Sequence, residues 1–162
     1  PTGGGGGGGG LSQIDLFPHF VPDASAPPSW VYANGVWAWH FANSGTQPLV
    51  AAIDYWPGGT ATINLTWSCS VTTGNVQFFY TLTAITPDSG DLIDKAGSAS
   101  QATGASAAAD NAKKSKRYTA TISGLDSVAE GDLVLIKLWR NNGAAGNAAG
   151  TAVLRGCTLR FS

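Results

Sequence analysis

The sequence predicts an all-β protein: an antiparallel two-sheet sandwich of the jelly-roll type, preceded by an extended N-terminal arm. Three observations predict it. From Trp30 onward, segments rich in Val, Ile, Thr, Trp, Phe and Tyr alternate with clusters of Gly, Asn, Pro and Ser, the texture of strands and turns. Strict alternation runs through Ile63, Leu65, Trp67 and Cys69, with Thr62, Asn64, Thr66 and Ser68 between them, which marks a strand with one buried and one wet face. The stretch most compatible with a helix, 96–112, is interrupted by Gly97 and Gly104 and diluted by Ser and Thr. It reads as an exposed loop or a short broken helix.

Gly3 to Gly10 form an unbroken glycine run. Such a run is a flexible leash in water, or an extended arm lying close against a neighbouring backbone. The segment 11–29 carries Pro18, Pro22, Pro27 and Pro28, which forbid a helix. Its Leu11, Ile14, Leu16, Phe17, Phe20 and Val21 still require burial, either against a neighbouring subunit or over the domain's own core. The expected division is an arm over 1–29 and a sandwich over 30–162. Gly3, Gly10, Leu11, Ile14, Leu16, Phe17 and Phe20 are the candidate assembly residues.

Strands are expected at 30–32, 36–42, 49–56, 61–71, 76–85, 117–123, 133–140 and 151–161. The breaks between them include Asn34-Gly35, Asn43-Ser44-Gly45, Pro57-Gly58-Gly59, Thr73-Gly74-Asn75 and Pro87-Asp88-Ser89-Gly90, residues that tolerate a positive φ. In 133–140, Val134, Ile136 and Leu138 oppose Leu133, Leu135, Lys137 and Trp139. That strand is apolar on both faces, hence central or facing an interface. The small-residue loop 141–150 is a spacer, or a loop that carries binding function.

A chain of 162 residues is one domain's worth of sequence, large enough to fold without metal or disulfide. Charged residues make up 12% and the net charge is −1. This argues against an electrostatic grip on nucleic acid and removes the main attraction to an anionic membrane. No apolar run approaches the ~20 residues of a membrane span. Met is absent, so Pro1 follows either initiator removal or a cut, and the N-terminus lacks the basic and apolar regions of a secretory signal.

Catalytic chemistry finds little support. The histidines are His19 and His40, and no GxSxG elbow is present. Cys69 and Cys157 lack zinc-type spacing. They are two buried thiols, or a cross-strand disulfide if their strands adjoin. Asp54, Asp88, Asp91, Asp94, Asp126, Glu130 and Asp132 fall mostly at turns, where Asp is a good turn residue. Asp88, Asp91 and Asp94 lack calcium-loop spacing. The basic run Lys113-Lys114-Ser115-Lys116-Arg117 reads as a solvated strand edge, and the sequon at Asn64 lies inside a strand. No catalytic residue, cofactor or metal is expected. The aromatics are more informative. Trp37, Trp39 and Phe41 share one strand face, and Trp30, Trp37, Trp39 and Trp56 are candidates for stacking on a sugar ring if exposed. Buried, they are core or subunit interface.

Three stretches carry a family resemblance: Ala52-Ile53-Asp54-Tyr55-Trp56-Pro57-Gly58-Gly59; Ile63-Asn64-Leu65-Thr66-Trp67-Ser68 followed by Thr73-Gly74-Asn75-Val76-Gln77-Phe78; and the strand from Glu130-Gly131-Asp132 to Arg140. Over 49–162 the chain resembles small β-sandwich domains of tailed-bacteriophage structural proteins. Gly74-Asn75 supports a tight turn, and Arg140 is expected to end its strand in solvent or on a carboxylate. The resemblance implies a location on the virion exterior, as a head-decoration (cement), fibre or tail subunit. It also implies a homo-oligomer, a trimer above all, with other virion proteins as partners. The leading expectation is therefore a non-enzymatic virion structural protein. A carbohydrate- or host-receptor-binding module is the alternative, with a host-surface glycan as partner and some Trp exposed in a shallow groove. A bacterial surface or filament subunit is a further one.

Overall fold

The alternation at Ile63 to Cys69 sits in the longest ladder of the structure, a computed structural model that describes residues 13–23, 27–33, 35–92, 94–102, 106–107, 115–122, 125–143 and 145–162. The strands are β1 (Gln13–Asp15), β2 (Val21–Pro22), β3 (Ser29–Ala33), β4 (Val36–Phe41), β5 (Leu49–Ile53), β6 (Ala61–Cys69), β7 (Asn75–Val76), β8 (Phe78–Ile85), β9 (Gln101–Ala102), β10 (Ser106–Ala107), β11 (Lys116–Ile122), β12 (Leu133–Arg140) and β13 (Ala152–Phe161). The eight expected strands are β3 to β6, β8 and β11 to β13. Sequence reading missed β1, β2, β7, β9 and β10 as separate strands. Each has only two or three residues, too few to display a period.

Two main antiparallel sheets result, with β10 and β7 forming a separate two-stranded pair. The first runs β11-β6-β13-β4-β3, with β1 also paired to β13; the second runs β2-β5-β12-β8-β9. Their inner faces meet in one core. Ile63, Leu65 and Trp67 of β6, with Leu154, Cys157 and Leu159 of β13, face Phe78, Leu82, Val134, Ile136 and Leu138 from the second sheet. Phe41 packs edge-on against Phe78 at 5.6 Å. The tight turn at Gly74 requires glycine: its φ is +82°, and a Cβ there would lie 2.6 Å from the Ala148 Cα.

Two expectations need correction. The first concerns the arm. β1 pairs with β13 and β2 with β5, and Leu16 N–H donates to the Cys157 carbonyl at 2.9 Å. Leu16 and Phe20 are core residues, 1% and 4% exposed, and Ile14 and Phe17 pack partly buried against them. Of the two open readings, folding back over the domain's own core describes this segment. The sandwich therefore includes Gln13 to Pro22, ahead of the boundary expected at residue 30. Strand pairing and core burial use the apolar surface of Leu16 and Phe20, so these two residues are not free to grip a neighbour. Gly3, Gly10, Leu11, Lys113 and Lys114 lie outside the described residues.

The second concerns Arg140. It does not reach solvent or a carboxylate but is 2% exposed. Its guanidinium donates to the carbonyls of Gly150 (2.6 Å), Ala148 and Phe41 (3.4 Å) and to Asn147 Oδ1 (3.0 Å). The Ala148 and Gly150 carbonyls turn inward, and buried carbonyls need donors. The fork of Arg supplies several at once.

The loop 96–112, expected as an exposed loop or a short broken helix, contains no helix among its described residues, and within it β9 pairs with β8 and β10 with β7. Cys69 and Cys157 do lie on adjoining strands. However, Cys69 faces Ala152 and Cys157 faces Leu65, four rungs apart or about 13 Å. Both are free, buried thiols, and burial pushes Cys157 well above the ordinary thiol range.

Two stability measurements follow from this packing. Leu16→Ala lowers the unfolding free energy in urea by about 2–5 kcal/mol, as for other buried leucines. An arm lying outside the domain predicts no change. Arg140→Met costs about 2–4 kcal/mol by the same assay, because several buried carbonyls lose their donor.

Candidate functional site

β12 occupies the centre of the second sheet, with β5 on one side and β8 on the other. Its inward residues fill the core, so Leu133, Leu135, Lys137 and Trp139 point away from it, each half-buried. Register sets their neighbours. Leu135 lies between Ala52 and Thr83, Lys137 between Val50 and Thr81, and Trp139 beside Phe79. The Phe79 and Trp139 rings are 5.8 Å apart.

This outward face is the floor of an open groove of about 960 Å³. Val21 to Asp23 and Thr46 rim one side, and Asp94, Lys95, Gly97 and Ser98 the other. Both rims are tied down. Asp23 N–H donates to the Pro48 carbonyl (3.0 Å), and its carboxylate meets Lys137 Nζ at 2.7 Å. On the far side, Ser98 N–H donates to the Leu82 carbonyl (2.7 Å). Gly97 lies so close to β8 that a Cβ would sit 2.8 Å from that same oxygen. Lys95 Nζ reaches Asp91 (3.2 Å) and Asp126 (3.8 Å). The Thr86 N–H, and then Lys95, hold the Asp91 carboxyl below the usual range. The groove thus combines an apolar floor with hydroxyls and internally paired charges, and it has little net charge to attract an ion.

The expected stacking aromatics divide differently. Trp30 and Trp37 are 41% and 50% exposed, while Trp39 and Trp56 are buried at 7% and 2%. Trp56 packs edge-on against Phe161 at 4.9 Å, and Trp39 lies under Trp30 at 4.6 Å. Neither offers a face to a ligand. Trp30 and Trp37 stack on each other at 5.3 Å and 3°, with Tyr32 tilted against Trp37 at 5.1 Å and Phe17 against Trp30 at 5.5 Å. They form an aromatic surface on the β3–β4 hairpin, at the edge of the first sheet. Trp139 was readable only as part of a strand apolar on both faces, and that double apolarity was its signal.

Three of the candidate acids make structural hydrogen bonds. Asp126 accepts from Ala84 N–H (2.7 Å), Asp132 from Ala129 N–H (2.8 Å), and Glu130 from the Tyr55 hydroxyl (3.0 Å). Glu130 in turn raises the Tyr55 pKa. His40 points to the opposite side of β4 from Trp39; burial, and then Arg155, lowers its pKa. Among the described residues no group of three His, Cys, Asp or Glu is placed to hold a metal.

No protein-family model matches the chain, and no curated protein matches it in sequence. Solved structures do. A xylan-binding module of the CBM15 class is similar over 93% of this chain and 96% of its own, with a TM-score of 0.54 and 14% identity. The CBM22-2 xylan-binding domain from Paenibacillus barcinonensis Xyn10C is similar over 93% and 98%, at 0.54 and 9%. The CBM35 module from Cellvibrio japonicus Abf62 is similar over 91% and 92%, at 0.53 and 13%. At these identities the likeness is one of fold. The chain is a jelly-roll β-sandwich, and these solved neighbours are carbohydrate-binding modules. The virion reading rests on the sequence resemblance alone.

The exposure pattern predicts the fluorescence. Acrylamide quenches the intact protein readily through Trp30 and Trp37. The double variant Trp30→Phe, Trp37→Phe loses most of the quenchable emission and shifts the remainder to the blue. An unchanged quenching constant contradicts the placement.

Proposed function

We propose that the chain is a carbohydrate-binding module that holds a stretch of neutral polysaccharide in the groove over β5, β12 and β8, without cleaving it. The observation that carries this reading is the groove floor. Leu135 and Trp139 present apolar surface in line along one strand, flanked by Thr81 and Thr83. A pyranose ring has an apolar C–H face and a rim of hydroxyls, and an aromatic ring matches the face. Fixed polar groups at the edge then orient the ring. Thr81, Thr83, Ser98 and Asp94 stand at that edge, and the Lys137–Asp23 pair offers a donor and an acceptor together. An open groove admits a chain that continues past both ends. The xylan-binding description of two of the neighbours makes xylan the first polymer to test. A host-surface glycan as ligand is compatible with a virion location.

Calorimetric titration with xylo-oligosaccharides, cello-oligosaccharides and manno-oligosaccharides tests the proposal. One of them binds the intact chain, and Trp139→Ala weakens that binding about tenfold or more, as expected for a central aromatic anchor. Trp30→Ala leaves it within twofold. No binding to any of the three, or loss only in Trp30→Ala, overturns the groove as the site.

A further inference from the structure

We infer that a notch on the outward face of the first sheet binds an oxyanion, presented by an acidic sugar or as a free inorganic anion. The notch encloses about 300 Å³ between β11, β6, β13 and β1. It opens where β13 is irregular, between Leu154 and Gly156, opposite Thr66. Gly156 itself supplies the space. Its φ is not in the left-handed region, and a Cβ there would meet the Thr66 Cβ at an ordinary 3.7 Å. Neither backbone conformation nor crowding demands glycine, so its effect is to leave the notch open.

The lining is rich in donors. Arg117, Arg160, Asn64, Thr66, Thr158 and Gln13 surround the space. Arg160 spends its Nε on Gln13 Oε1 (3.1 Å), which leaves its two terminal nitrogens. Asn64 Oδ1 accepts from the Thr119 hydroxyl (2.8 Å), so its amide NH₂ is the end left to donate. Among the described residues no carboxylate pairs with Arg117 or Arg160, and none lines the notch. The nearest acid in register is Asp15, opposite Thr158 on β1, and it accepts from Phe17 N–H at 3.1 Å. Two unpaired guanidinium groups beside an amide and two hydroxyls match a carboxylate or sulfate, which accepts several hydrogen bonds at once.

This site lies on the other sheet from the groove and does not depend on it. The test titrates the intact chain at low salt with sodium sulfate and, separately, with trigalacturonic acid. Saturable binding of at least one is expected, weakening as salt rises. Arg117→Gln, Arg160→Gln and Gly156→Val each weaken it about tenfold or more. Gly156→Ala, a milder filling of the same space, weakens it less. Thermal unfolding confirms that each variant is folded. Tighter binding of the galacturonide than of sulfate identifies a sugar carboxylate as the ligand; equal binding identifies a free oxyanion. Absence of saturable binding by both probes overturns the inference, as does binding that survives both arginine variants and Gly156→Val. Binding of neutral oligosaccharide is unaffected by these substitutions, so failure here and failure of the groove are separate results.

Discussion

The rest of the structure depends on β12 being apolar on both faces. A central strand of a sandwich has one face committed to the core, and Val134, Ile136 and Leu138 are fully buried there. In an ordinary antiparallel sheet the other face is polar and wet. Here it presents Leu135 and Trp139 on either side of Lys137. That surface is left half-covered by the rims from β2 and from the loop before β9. A face too apolar for water and too open for a core is the physical basis of the proposed sugar site. The fold holds that face in place by pairing β12 along its length with β8 and along most of it with β5.

The same strand ends in the residue that organises one end of the sandwich. Arg140 follows the inward alternation of Val134, Ile136 and Leu138, which brings its guanidinium inside. There it gathers carbonyls from the loop 141–150 and from the end of β4. This loop is built of Ala, Gly and Asn and has few apolar side chains with which to pack. A buried cation that collects its carbonyls takes the place of a hydrophobic anchor, and the turn at Gly74 closes against the same loop. The low-complexity loop that reads as a spacer is thereby anchored at Gly146, Asn147, Ala148 and Gly150.

Much of this was legible in the sequence, and the exceptions have physical causes. Period-two alternation located the main strands and assigned Ile63, Leu65 and Trp67 to the core. It also identified 133–140 as apolar on both sides. Alternation says which residues share a face but not what covers that face. Hence Trp30 and Trp37 could not be separated from Trp39 and Trp56 until the hairpin was seen to extend along the sheet edge. Arg140 departs from the expectation because its place in the alternation outweighs its charge. Leu16 and Phe20 stay open in the sequence because prolines erase periodicity, while the pairings that bury them are made with β13 and β5, far along the chain. Trp139, the aromatic of the groove, was visible only as an excess of apolarity on a face that ought to be polar. The arginine notch left no local pattern, since Arg117, Gly156 and Arg160 meet only through the order of β11, β6 and β13.

The central claim is that the outward face of β12 is where a sugar chain lies. The most direct measurement is an amide chemical-shift map of the intact protein titrated with xylohexaose. The account predicts the largest shifts at Thr81, Thr83, Leu135, Lys137 and Trp139, with the Trp139 indole N–H among them, and little change at Trp30, Tyr32 and Trp37. Shifts confined to the β3–β4 hairpin, or none at saturating sugar, would contradict it.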